Sequence, residues 1–266
     1  MQVSIPNTIR RGLTSAQIGE RFVIDIFAPA SKQPLPVVLL TDGNMMFPMV
    51  ATSAPLLWSA RDAHKFILVG VGYDNHAEAM SLRTRDLTPS MDDVYLDRIA
   101  ASGKPLKQGI MPGGADAFLD FLQRDVRQTV ENNYATNGDY TLAGHSLGGL
   151  FTLHTMFSKP DHFDRYLAGS PSLWWNGGEM IQRERSFARN NQDLQSALFT
   201  SVGAEEQNSS QNDWAQMVSN WHRFRTDLAT RNYRSLNLST RFFDNETHTS
   251  VVPATWSAGL RCLLPV

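Results

Sequence analysis

Apolar runs and helical spacings alternate along this chain, and they predict an α/β fold. The expected architecture is a mostly parallel twisted sheet with antiparallel N-terminal strands and helices on both faces. Three observations carry this. Pro36–Leu40 and Phe66–Val71 are short continuous apolar runs, the pattern of strands covered on both sides. From residue 115 onward, stretches of helical period and strand-like runs follow one another without a break. No linker rich in Pro, Gly or Ser divides the 266 residues, so one domain, 1–266, is expected.

Taken in order, Arg21–Phe27 alternates as an antiparallel strand does, and the segment from Pro29 to Pro36 turns the chain. The Pro36–Leu40 strand ends in Thr41-Asp42-Gly43-Asn44, and a helix runs on through Leu57 and Trp58. After the Phe66–Val71 strand comes one long irregular stretch, about 73–113. A loop that long inside a domain is usually functional, and this one leaves a strand end, so it is expected to form a small cap. The remaining expectations are helix 115–133, strand 140–143, helix 147–157, strand 165–169 and a helix near 178–190. Strand 198–202, helix 211–231, strand 236–243 and helix 252–264 complete the chain.

Composition narrows the function classes. Hydrophobic content of 42% and charged content of 19% are ordinary for a globular protein. A net charge of −2 makes no electrostatic case for nucleic acid or an anionic membrane. The single cysteine, Cys262, sits in an apolar run and permits neither an intrachain disulfide nor a cysteine metal cluster. Met1–Pro6 lacks a basic and then apolar leader, so no secretory signal is read and a cytoplasmic location is expected. No run reaches membrane-spanning length. There is no phosphate loop, zinc helix or paired-histidine metal site, so no metal and no cofactor are expected.

The chemistry gathers on Asp139–Leu150. A short apolar strand leads into Gly144-His145-Ser146-Leu147-Gly148, and helical spacing follows from Leu147. A Gly-x-Ser-x-Gly turn between strand and helix is a nucleophile elbow, which lifts the serine hydroxyl over a helix N-terminus. The pattern alone occurs by chance in about one chain in ten of this length; the strand before it and the helix after it give it meaning. A serine hydroxyl needs a base in contact with it. Of the later histidines, His154 and His222 fall within helices and His162 in a helix-ending loop. His248 follows the last strand in a polar loop, where it can turn back over the sheet to Ser146. The acid that fixes its tautomer should leave the preceding strand, where Glu205 and Glu206 stand. Either could serve; Glu206 is favoured, with Glu205 then facing solvent, and a carboxylate in the loop before His248, Asp244 or Glu246, is the outside alternative. The oxyanion donors expected are the N–H groups of Leu147 and of Asn44. Met45, Arg83, Arg85, His145, Trp174 and Trp175 are the candidate substrate-facing residues. Trp174 and Trp175 can stack on an aryl or acyl group, or pack as core. Arg83 and Arg85 can clamp an anion, or one can pair with Asp86 to hold the covering loop.

Several stretches together resemble the esterase D-like family of α/β-hydrolases, in its siderophore (enterobactin and salmochelin) esterase branch. They are Leu40–Phe47, Arg83–Pro89, Gly113–Phe121, Gly144–Phe151, Ser170–Trp175, Val202–Glu206 and Glu246–Pro253. The resemblance spans nearly the whole chain. It implies the α/β-hydrolase fold and a carboxylic ester hydrolase with Ser146 and His248 in its active site, acting on a small-molecule ester. Glu206 matches the family's usual acid, although some members look like Ser–His pairs. An acyltransferase on the same fold, with an alcohol in place of water, is the alternative; a binding protein that has lost catalysis is a third.

Overall fold

A computed structural model describes residues 4–208 and 213–266. The chain enters as an antiparallel pair, β1 (Thr8–Thr14) on β2 (Arg21–Phe27). β2 alternates as read: Phe22, Ile24 and Ile26 join one apolar cluster, while Phe27 joins the cluster on the other face. β3 (Leu35–Leu40) divides in the same way, Val37 and Leu39 to one side and Val38 and Leu40 to the other. Its unbroken apolar run is thus the signature of a strand with both faces covered. α1 (Gly43–Ser59) and β4 (Ile67–Tyr73) follow.

The stretch expected to be irregular holds two helices, α2 (Ala79–Asp86) and α3 (Asp93–Ala101). Their sequences hid them. α2 is short and buries polar Ser81, Arg83, Thr84 and Asp86, while α3 buries no residue at all, so neither carries an apolar stripe. The local signal that does exist is a cap: Asp92 accepts the N–H of Tyr95 at 3.0 Å. The expected helix 115–133 is α4 (Ala115–Phe121), a π-helical turn (Leu122–Val126) and α5 (Arg127–Asn133).

β5 (Thr136–His145) starts four residues before the expectation, because Thr136-Asn137-Gly138-Asp139 has no apolar signal. Then come α6 (Leu147–Ser158), β6 (Arg165–Gly169) and α7 (Trp175–Asn190). α7 opens with a left-handed turn at Asn176, Gly177 and Gly178 (φ 47°, 64° and 81°), which is why the helical pattern emerges only after it. β7 (Ser196–Gly203), α8 (Met217–Thr230), β8 (Leu236–Phe243) and α9 (Val251–Leu263) complete the chain. α8 is shorter than the 211–231 expected; Asp213–Ala215 form a separate 3₁₀ turn, and positions 211 and 212 lie outside the described residues.

The eight strands lie in the order β1-β2-β4-β3-β5-β6-β7-β8. β1, β2 and β4 pair antiparallel, and every pairing among β4, β3, β5, β6, β7 and β8 is parallel. Register aligns the carboxyl ends: His145 lies opposite Gly169, Gly169 opposite Ser201, and Gly203 opposite Phe243. The segments that leave β5, β6, β7 and β8 therefore emerge side by side, where ligands bind in sheets of this kind. No described helix is long and apolar enough to cross a membrane.

Candidate active site

β5 hands over to α6 through one residue, Ser146, whose backbone is left-handed (φ 62°, ψ −119°). Such a conformation costs a non-glycine residue about 1–3 kcal/mol and persists only where the surroundings enforce it. Here they do. A Cβ on Gly144 would meet the Gly148 carbonyl oxygen at 2.2 Å, so strand and helix backbones touch with no room for a side chain. The Ser146 N–H donates to the Gly169 carbonyl at 3.0 Å, and the Ser146 carbonyl accepts from Ser172 N–H at 3.1 Å. The two hydroxyls, Ser146 Oγ and Ser172 Oγ, are 3.5 Å apart.

Glu206 ends a 3₁₀ turn (Ala204–Glu206) directly after β7 and is 1% exposed. Both carboxylate oxygens are engaged. Oε2 lies 2.6 Å from His248 Nδ1, while Oε1 accepts from the Ser170 hydroxyl and the Gly203 N–H, each at 2.6 Å. Three hydrogen-bond contacts on one buried carboxylate fix it in place. Glu205 and Asp244 face solvent, and Glu246 accepts from Ser250. Of the four carboxylates weighed from sequence, Glu206 is the one in contact with the imidazole. The loop carrying His248 packs hard on the end of β7: a Cβ on Gly203 would stand 2.3 Å from the Glu246 carbonyl oxygen.

Ser146, Glu206 and His248 line one cavity of about 280 Å³. No hydrogen bond joins Ser146 to His248 in this unliganded geometry among the described residues; such contacts commonly tighten only when substrate is bound. Leu147 also lines the cavity, and its N–H lies in the first turn of α6. Asn44 lies in the first turn of α1, and first-turn N–H groups have no intrahelical acceptor. The Asn44 side chain grips β4, accepting from Tyr73 N–H at 2.6 Å and donating to the Tyr73 carbonyl at 3.0 Å.

The candidate substrate residues separate. Arg83 and Trp174 line the cavity; Met45, Arg85, His145 and Trp175 do not. Met45 is on the surface, 59% exposed, on the outer side of the first turn of α1. Arg85 donates to both carboxylate oxygens of Asp86 at 2.7 and 3.0 Å, the loop-holding pair weighed above. Trp175 is wholly buried and spends its Nε1–H on the Ser90 carbonyl at 3.2 Å. His145 is buried behind the elbow, its Nε2 2.9 Å from the His248 carbonyl oxygen. Arg83 has a partner that sequence reasoning missed: it grips Asp42 in a bidentate pair at 2.7 and 2.9 Å, both side chains being buried. Burial works against the guanidinium charge, but Asp42 outweighs it and holds Arg83 above its ordinary range.

The missed lining residues are Met80, Tyr95, Ser172, Trp214, Ala215 and Met217. Trp174 stands 5.6 Å from Tyr95 and edge-on to Trp214 at 4.7 Å, ring centre to ring centre. Ser170 and Ser172 flank Pro171 next to the noticed tryptophans, so position gave a hint; Met80, Tyr95 and Trp214 offered no spacing that would point to a serine far away in sequence. A larger open groove of 560 Å³ lies along α6 and α7, but its histidine, His154, is bonded to Asp116 at 2.8 Å, and the Ser158 hydroxyl there donates to the His154 backbone carbonyl rather than to its ring. No group of described residues is arranged to hold a metal ion.

Residues 15–251 match the family described as "Putative esterase". The chain is 30% identical over 275 residues to the ferri-bacillibactin esterase BesA of Bacillus subtilis, covering 98% of this chain and 91% of that protein. It is 29% identical over 292 residues to the siderophore triacetylfusarinine C esterase of Aspergillus fumigatus, covering 97% and 93%. Among solved structures, the BES protein from Bacillus cereus aligns with a TM-score of 0.83 at 29% identity, over 100% of this chain and 99% of that one. These relatives give the acyltransferase alternative no support. With a family match that runs from ahead of β2 to the first residue of α9, the chain belongs to that esterase family of the α/β-hydrolase fold, and it is a carboxylic ester hydrolase.

Proposed function

We propose that the chain hydrolyses short-chain, aryl or siderophore-type esters through an acyl-enzyme on Ser146, with His248 as general base and Glu206 as its orienting acid. The observation that carries this is the 2.6 Å contact between His248 Nδ1 and buried Glu206, in the same cavity as the strained serine. A carboxylate on Nδ1 leaves Nε2 bare to take the Ser146 proton. The alkoxide then attacks the ester carbonyl, and the N–H groups of Leu147 and Asn44 hold the oxyanion. His248 returns the proton to the leaving alcohol. A water molecule, deprotonated by His248 in turn, releases the acid and restores the serine.

The siderophore class rests on the relatives' names and on the cavity walls. Trp174, Trp214 and Tyr95 offer faces and edges to an aryl arm. Arg83 spends Nε and Nη2 on Asp42, and its guanidinium still borders the cavity, where Nη1 can meet an anionic group. The segment 73–113, which contributes Met80, Arg83 and Tyr95, is the cap of a single 1–266 domain in this reading. Ser146→Ala should lower kcat/KM for p-nitrophenyl acetate by on the order of 10⁴–10⁶-fold. A panel of p-nitrophenyl esters and of catecholate and hydroxamate siderophore esters, with and without iron, tests the substrate class. A preference for short acetyl esters over every siderophore ester would remove that part of the reading.

A further inference from the structure

The residue before the nucleophile has a place of its own in the site. His145 ends β5, is not among the residues that line the cavity and is 6% exposed. Its Nε2 lies 2.9 Å from the backbone carbonyl oxygen of His248, and the two rings lie 4.7 Å apart at 40°. A carbonyl oxygen can only accept, so Nε2 carries the hydrogen. Nδ1 is buried without a partner, against Gly169, where a Cβ would come within 3.2 Å of it. A second N–H at that nitrogen would be stranded.

We propose that His145 is a positioning residue for His248: its Nε2–H holds the His248 peptide, and so sets where the base stands relative to Ser146. This rests on the Ser146–His248 reading above. No other hydrogen bond among the described residues is made by the His248 carbonyl; neighbouring anchors are Glu205 N–H to the Glu246 carbonyl at 3.0 Å, Val251 N–H to the Thr247 carbonyl at 3.1 Å, Val252 N–H to the Thr249 carbonyl at 3.3 Å and Thr247 N–H to the Ser250 hydroxyl at 2.9 Å. The Glu206 contact fixes the ring of His248, and the His145 contact fixes its backbone. Because 145 and 146 are adjacent at the end of one strand, nucleophile and base are referenced to the same rigid point.

The ring must also stay uncharged to do this well. An imidazolium develops on His248 in each half of the reaction, and a second cation beside it would oppose that step. Burial first, and then His248, hold His145 well below the ordinary histidine range. Besides burial, the charged groups that act on it are His248, which can become a cation, and Arg83, which is one, with no carboxylate to favour protonation.

Two substitutions separate positioning from packing. In H145F the ring remains and the donor is lost; in H145Q the amide nitrogen stands near the place of Nε2 and can still donate. Expected for H145F is a fall of about 10–100-fold in kcat and in the rate at which a fluorophosphonate probe labels Ser146, with KM for p-nitrophenyl acetate little changed. H145Q should recover most of that loss, with both variants melting close to wild type. Wild-type turnover and labelling in H145F, or equal impairment in two well-folded variants, would overturn the proposal. Should H145F not fold, ring ¹⁵N spectra of the wild-type enzyme decide, with the signal assigned by its loss in H145Q. An Nε2–H tautomer persisting from neutral to mildly acid pH is expected, and an Nδ1–H tautomer overturns it. Failure of the probe to label wild-type Ser146 would instead sink the esterase mechanism, and the tautomer measurement would still stand.

Discussion

The most telling side chain is Glu206, because its three hydrogen bonds dictate what an amide there would do. Gly203 N–H and the Ser170 hydroxyl both need an acceptor, so in Glu206→Gln the amide oxygen must take the Oε1 place. Its NH₂ then faces His248 Nδ1, which is forced to accept, and the hydrogen moves to Nε2. An imidazole in that tautomer cannot take the serine proton, and kcat should fall by up to about 10⁴-fold. Glu205→Gln, at an exposed position, should stay within about twofold of wild type. Equal effects of the two, measured by steady-state kinetics, would remove Glu206 from the mechanism. The sequence narrowed the acid to residues just after a strand end, since the fold delivers the acid there. It favoured Glu206 over its neighbour but could not show what holds it, because Ser170 and Gly203, far apart in sequence, form the pocket for that one carboxylate. The tryptophan pair shows the same limit: Trp174 and Trp175 follow the same strand, yet one borders the cavity and the other is core.

Among the elements, the elbow is the least forgiving. Gly144→Ala would push a methyl carbon to 2.2 Å from the Gly148 carbonyl oxygen and 2.3 Å from its carbon, and neither is a flexible side-chain tip. The helix start must move away, at a cost of about 3 kcal/mol. Urea unfolding should register the loss, and kcat should fall with it, because Ser146 stands between the two clashing groups. An unchanged midpoint would mean that the close approach is not rigid. This corner was legible because its chemistry is local: strand, glycine, serine, glycine and helix lie within a dozen residues. The covering helices α2 and α3 were not, since α2 owes its burial to distant partners. Arg83 is held by Asp42, 41 residues away, and no spacing rule foretells that. β5 was read short for a different reason: its polar first residues belong to it only through pairing, with Thr136 opposite Leu35.

At the scale of the whole molecule, one sheet separates two apolar clusters, and the cavity lined by Ser146, Glu206 and His248 lies at its carboxyl edge. Stability elsewhere should therefore be separable from catalysis. Arg231 binds both oxygens of wholly buried Glu184 at 2.8 and 2.9 Å, tying the end of α8 to α7 well away from the serine cavity. Arg231→Met leaves that carboxylate without its cation. The cost should be about 2–3 kcal/mol, less than for a fully buried pair because the Arg231 side chain is 29% exposed. Denaturant unfolding should show the loss, while kcat per folded molecule should not change; a parallel fall in kcat would mean that the two ends of the fold are coupled. The Arg83–Asp42 pair works in the opposite sense, for it fastens the roof of the cavity to the floor of the sheet. To swing that roof aside, two opposite charges would have to part where little water can reach them, at several kcal/mol. Traffic is therefore cheapest with the roof shut. In the siderophore reading proposed above, an arm of the substrate would have to reach the ester site with that roof in place, among Met80 and Trp214, which line the cavity.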